Sequence, residues 1–136
     1  MERLTHIKVP AHADQLNDVW ASVGGSARAQ EFSDERLPDV RLMTEEVFVN
    51  ICSYAYAEKK GTVEINTFVD GGIFIIEFID DGVSFDMTAA KDPDLLVDIK
   101  DRKVGGLGIF LIKKIVSDIN YCREKNKNIL KLSIQK

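Results

Sequence analysis

The chain reads as three stretches of helical periodicity set among five short strand-like runs. Leu4 to Val9 is a first strand ending at Pro10. Within Ala13 to Val23, Leu16, Val19, Trp20 and Val23 fall at i, i+3, i+4 and i+7, the spacing of one buried helix face. Gly24-Gly25 is expected to weaken or bend that helix. Pro38 is suited to open a second helix. Its stripe is Met43, Val47, Ile51 and Tyr54, and Gly61 marks its exit. Thr62 to Val69 is rich in β-branched residues, Asp70-Gly71-Gly72 supplies a turn, and Ile73 to Ile79 returns as a second hairpin strand. Residues 87 to 104 are polar, with Pro93 and a weak helical patch at Leu95, Leu96 and Ile99. So long an insertion in a small domain suits a functional lid. Gly105-Gly106-Leu107-Gly108 then opens a third helix, apolar at Ile109, Ile112, Ile115 and Val116. Strands around Ile119 to Arg123 and Ile129 to Ile134 close the chain, joined by a turn over Glu124 to Asn128. This order, βα(α)ββ-loop-αββ, predicts an α+β fold: a two-layer α/β sandwich with a mixed, mostly antiparallel sheet covered by helices on one face.

Composition narrows the function classes. A length of 136 residues points to one domain, spanning 1–136, with one core. The net charge of -4 argues against broad binding to nucleic acid. Cys52 and Cys122 lack metal-ligand spacing and read as two reduced thiols, with a disulfide left open. The first residues carry no apolar run of signal-peptide type, and no stretch approaches the roughly 20 apolar residues of a membrane span. A cytoplasmic protein with no membrane partner is the expectation. Trp20 is expected in the core, with an interface as the alternative.

Three groups of residues carry candidate chemistry. Glu46 and Asn50 stack one turn apart beside the apolar stripe of the second helix. Unpaired burial of such groups costs several kcal/mol, so they are either bonded, bound to something, or at a solvated edge. Alone, the solvated edge is the first reading. The Asn50 amide oxygen suits Mg²⁺, and a carboxylate one turn earlier can accept a proton. Asp80 ends the row Phe74, Ile76, Phe78, because period-two alternation puts all four on one face. It can accept a hydrogen bond from an exocyclic amine, and Gly82 lets the backbone pass closely. Alone, Asp80-Asp81-Gly82 reads first as an ordinary turn. The glycine run at 105–108 frees backbone N–H groups for phosphate at a helix N-terminus. A hinge or tight loop is its first reading in isolation, and it lacks the Lys-Ser/Thr of a Walker sequence.

The order and spacing of the three groups resemble a known family. EEVFVN at 45–50, DDGVSFD at 80–86 and GGLGIFLIKKI at 105–115 are similar to the ATP-binding domain shared by gyrase, Hsp90, histidine kinases and MutL (the Bergerat or GHKL fold). Within it, the chain is most similar to the small anti-sigma-factor serine/threonine kinases. The resemblance implies Glu46 as general base and Asn50 as Mg²⁺ ligand. It implies Asp80 on the adenine amine with Gly82 shaping its pocket. Gly105, Gly106, Leu107 and Gly108 would bind phosphate, and residues 87–104 would form the ATP lid. Arg102 or Lys103 could add positive charge, though a solvated basic pair is the favoured reading. It further implies ATP-dependent phosphorylation of a STAS-type anti-sigma-factor antagonist, binding of a sigma factor, and a homodimer. The alternative is an ATP-binding module that sequesters a partner with little phosphotransfer. Three positions depart from the family: Tyr54 replaces a frequent histidine, Ile51 a common alanine, and Lys127-Asn128 a frequent Gly-Asn.

Overall fold

The computed structural model describes residues 1–56, 60–89 and 106–136. Five strands form one sheet: β1 (Glu2–Pro10), β2 (Thr62–Asp70), β3 (Ile73–Asp80), β4 (Asp118–Glu124) and β5 (Lys127–Gln135). Their order is β1-β2-β3-β5-β4, and every pairing is antiparallel. Because β5 pairs antiparallel with both β3 and β4, those two strands run parallel with β5 between them. The parallel relation therefore carries no hydrogen bonds. Three helices complete the fold: α1 (Leu16–Ala29), α2 (Leu37–Asn50) and α3 (Gly106–Ile115).

The core lies between the helices and one face of the sheet. Alternation along β3 puts Phe74, Ile76 and Phe78 inside, and β5 answers with Leu130, Leu132 and Ile134. Val19 and Val23 of α1, Met43 and Val47 of α2 and Ile109 and Ile112 of α3 are buried in the same cluster. The expected helix stripes are the faces that pack, except at Tyr54, which ends the second stripe and is exposed. The Asp70-Gly71-Gly72 turn is also found, with both glycines at positive φ (55° and 84°).

Three local readings change. α1 extends beyond Val23, through Gly24-Gly25, to Ala29. At Gly24 the missing side chain makes room for the Trp20 ring, since a Cβ would lie 2.8 Å from Trp20 Cε2. Trp20 is partly buried, with the Arg28 and Arg41 guanidinium groups 5.9 and 5.7 Å from its ring centroids. The second helix stops being α-helical at Asn50; Ile51–Ala55 form a π-helical turn. Such turns occur frequently at functional sites. The last hairpin is tighter than expected, because Lys125 and Asn126 alone make the turn, at φ 52° and 63°. Asn128 consequently belongs to β5. The weak helical patch at Leu95 to Ile99 lies outside the described residues, as does most of the expected lid; its first residues, Met87–Ala89, form a 3₁₀ turn with Met87 buried.

Candidate functional site

The C-terminal half of α2 is where the three motif segments meet. Asn50 is 6% exposed, so it does not sit on a solvated helix edge. Glu46 is half-buried. Its side chain lies against the first turn of α3: a Cβ at Gly108 would stand 2.7 Å from Glu46 Cδ and overlap the carboxylate. Glycine at 108 therefore lets a carboxylate from one helix approach the backbone at the start of another. Gly106 opens α3, and Leu107 and Gly108 follow in its first turn. N–H groups there have no acceptor within the helix, and the helix dipole favours an anion. Gly105 lies outside the described residues, as do Arg102 and Lys103.

The π-helical turn docks the segment at 80–86. Val83 N–H donates to the Ala55 carbonyl at 2.8 Å. Gly82 passes so close that a Cβ would lie 2.7 Å from the Ala55 carbonyl carbon. Tyr56, just after the turn, adds a second tie. Its hydroxyl lies 2.6 Å from both Thr62 O and Asp81 Oδ1, and it accepts the Asp81 N–H at 3.0 Å. Tyr54, which replaces the family's histidine, meets Phe85 with ring centroids 5.2 Å apart. The departure thus supplies an aromatic contact between the end of α2 and the segment after Gly82.

Asp80 is where the alternation of β3 predicts, on the core face at 3% exposure. Burial raises its carboxyl above the ordinary 3.8. Hydrogen bonds from Asn128 and Gly82 and the charge of Arg123 pull it back, while Asp81 raises it. Oδ1 accepts the Gly82 N–H at 3.0 Å and the Asn128 amide at 2.9 Å. Among the described residues, Oδ2 receives no hydrogen bond and is the oxygen left for a ligand. Cys52, inside the π-helical turn, is pushed up to about 11, first by burial, with the Asp80 charge adding to it. It is an inert thiol at neutral pH. Both cysteines are free.

Reading by motif missed Asn128. The pattern places it in a turn, whereas it stands directly opposite Asp80 in the β3–β5 register. The signal was present: Asn128, Leu130, Leu132 and Ile134 alternate onto one face, as Phe74 to Asp80 do. Among the described residues no group of three or more His, Cys, Asp or Glu could hold a metal. Any divalent ion here would rest on Asn50 and the ligand's own oxygens. A hard amide oxygen one helical turn after Glu46, whose carboxylate lies against the anion-favouring start of α3, fits Mg²⁺ in that mode. No described helix is long and apolar enough to cross a membrane.

Comparison with known proteins identifies the family and agrees with the fold. A family model described as a histidine kinase-like ATPase domain matches residues 9–134. The serine-protein kinase RsbW of Bacillus cereus (strain G9842) is 27% identical, over 96% of this chain and 85% of its own length. That of Bacillus anthracis (strain CDC 684 / NRRL 3495) is 26% identical over the same shares. Among solved structures, the Acinetobacter baumannii histidine kinase AdeS matches with a TM-score of 0.53 at 15% identity, over 98% of this chain and 68% of that chain. That likeness is one of fold.

Proposed function

The chain belongs to the histidine kinase-like ATPase domain family, and from that premise we propose that it is an ATP-dependent serine/threonine protein kinase acting as an anti-sigma factor. The observation that carries the reading is the convergence of Glu46, Asn50, Asp80-Gly82 and the start of α3 around one end of α2. The similarity to serine-protein kinases named RsbW supports the choice of a protein hydroxyl as acceptor. Its substrate is proposed to be an antagonist protein of the STAS type, its regulated partner a sigma factor, its working form a homodimer and its location the cytoplasm. Residues 1–136 act as one ATP-binding kinase domain, with 87–104 as its lid.

Each residue then has a task. Asp80 accepts a hydrogen bond from the adenine amine, and Gly82 lets that part of the backbone close against Ala55. Backbone N–H groups from Gly105 to Gly108 face the phosphates. Asn50 would hold Mg²⁺, which when bound supplies neutralisation of phosphate charge. Glu46 takes the proton of the acceptor hydroxyl as its oxygen bonds to the γ-phosphorus. The bond from that phosphorus to the β–γ bridging oxygen breaks, and ADP leaves with the electron pair.

The adenine part of the reading is tested by Asp80→Asn. An asparagine can accept the same two protein donors on its oxygen. Its NH₂ then replaces the free carboxylate oxygen and meets the adenine amine donor to donor. ATP affinity is expected to fall about tenfold or more, the scale of a charge-assisted hydrogen bond. Protonation of Asp80 removes the ionised acceptor. Because its folded value is raised, wild-type affinity should fall on acidification at a higher pH than an ordinary aspartate would give, and the variant should lack that component. Stability moves the other way. A carboxyl raised on folding contributes stability below its unfolded value, and this is lost as pH rises through the folded value. Asp80→Asn should therefore not lower the melting temperature at pH 7. Titration calorimetry from pH 4 to 8, with thermal unfolding, reads both; unchanged ATP affinity in the variant contradicts the assignment.

A further inference from the structure

Asn128 lies outside the three motifs, yet its side chain is the hub of the hydrogen bonds around Asp80. It is 3% exposed. Its Nδ2 donates to Asp80 Oδ1 at 2.9 Å and to the Val83 carbonyl at 2.8 Å. Its Oδ1 accepts the Tyr121 hydroxyl at 2.5 Å, Arg123 Nη1 at 3.1 Å and the Phe85 N–H at 3.2 Å. Arg123 Nη1 also donates to the Gly82 carbonyl at 2.9 Å. Two acceptors on one side and three donors on the other permit a single amide orientation. The flipped amide would set oxygen against a carboxylate and a carbonyl, and NH₂ against a guanidinium and a backbone N–H.

This arrangement has two consequences. Both hydrogens of the amide are spent on protein acceptors, so Asn128 has no donor left for a base. It also shares with Gly82 N–H the task of fixing Asp80 by one oxygen, which stops rotation of the carboxylate about its last torsion. A carboxylate free to turn would spread its acceptor capacity over several directions. Held by Oδ1, it offers Oδ2 alone, at a set position, and ordering of this kind strengthens a hydrogen bond by removing its entropic cost.

We infer that Asn128 is a positioning residue that gives the site its preference for a 6-amino purine, acting through Asp80 without touching the base. The inference rests on the ATP reading above and extends it from the motif residues to the β4–β5 hairpin, which delivers Tyr121, Arg123 and Asn128 together. Removing Asn128 leaves an adenine site in which Asp80 is present but not aimed.

The test compares ATP with inosine 5′-triphosphate, which carries a 6-oxo group where ATP has the amine. Affinities of both are measured for wild type, Asn128→Ala and Tyr121→Phe, with melting temperatures alongside. Wild type should prefer ATP by about tenfold or more. Asn128→Ala should lower that ratio severalfold while holding inosine triphosphate affinity within about threefold. A purely structural role would weaken both nucleotides alike, and that result overturns the inference, as does an ATP preference that survives intact in Asn128→Ala. Tyr121→Phe deletes one donor to the Asn128 amide and keeps the ring. It should lower the ratio about twofold, and it decides the matter if Asn128→Ala does not fold: an unchanged ratio in it overturns the inference. Wild type that binds neither nucleotide overturns the ATP reading itself, and the inference with it.

Discussion

Replacement of Glu46 by glutamine is expected to lower phosphoryl transfer about 10²–10⁴-fold, the range attributed to a general base, and to leave ATP affinity within about threefold. The split follows from placement. Glu46 sits on α2 one helical turn before Asn50, with its carboxylate against Gly108 at the start of α3. Glutamine has the same shape and keeps that packing. Its amide cannot take a proton from an incoming hydroxyl. In the proposed reading binding rests on Asp80, Asn50 and the α3 N–H groups, and all of these remain in the variant. Steady-state kinetics should show kcat falling with little change in KM for ATP. A loss confined to ATP affinity, with kcat preserved, would assign Glu46 to binding and remove it as the base.

The second large effect is at Gly82. A Cβ added there would stand 2.7 Å from the Ala55 carbonyl carbon and 2.9 Å from Ala55 Cβ. The nearest of these atoms are backbone, held by the π-helical turn, so the clash cannot be relieved by a side-chain rotation. The Val83-to-Ala55 hydrogen bond must break or the segment must move. Movement would carry away the Gly82 N–H that Asp80 Oδ1 accepts. Gly82→Ala should therefore cost about 1–3 kcal/mol of stability, the range for overpacking, and lower the melting temperature by roughly 5 °C or more. ATP affinity should fall with it. Gly25→Ala is the internal comparison. Nothing lies within 4 Å of its added Cβ, and it sits within α1, so it should stabilise by about 0.5–1 kcal/mol. Equal melting temperatures for Gly82→Ala and wild type would show that the Ala55 contact is soft.

Much of this site is legible from local pattern. The alternation Phe74, Ile76, Phe78, Asp80 depends on strand geometry alone and needs no partner, so it places Asp80 on the core face directly. The Met43–Val47 stripe likewise puts Glu46 and Asn50 at the edge of a packed face. What local pattern did not reveal depends on tertiary contacts. No Pro or Gly marks the π-helical turn at Ile51–Ala55; what accompanies it is the docking of Gly82 and Val83 on the Ala55 carbonyl. Continuation of α1 through Gly24-Gly25 is accompanied by the Trp20 ring lying against Gly24, a packing that a helix propensity does not contain. Lys125 and Asn126 adopt positive φ without the glycine that usually announces it, so the final turn looks longer than it is. That one error moved Asn128 out of a strand and hid its register with Asp80. The placement of β5 between β3 and β4 is a long-range pairing that no single segment encodes.

Phosphotransfer distinguishes a kinase site from a mere nucleotide pocket. Purified protein is incubated with Mg²⁺, ATP labelled in the γ-phosphate and STAS-type antagonist domains, and the acceptor residue is mapped by mass spectrometry. Label is expected on a serine or threonine of an antagonist, dependent on Glu46. Protein that binds ATP tightly yet passes no label to any antagonist would contradict the kinase reading and leave a partner-sequestering module in its place.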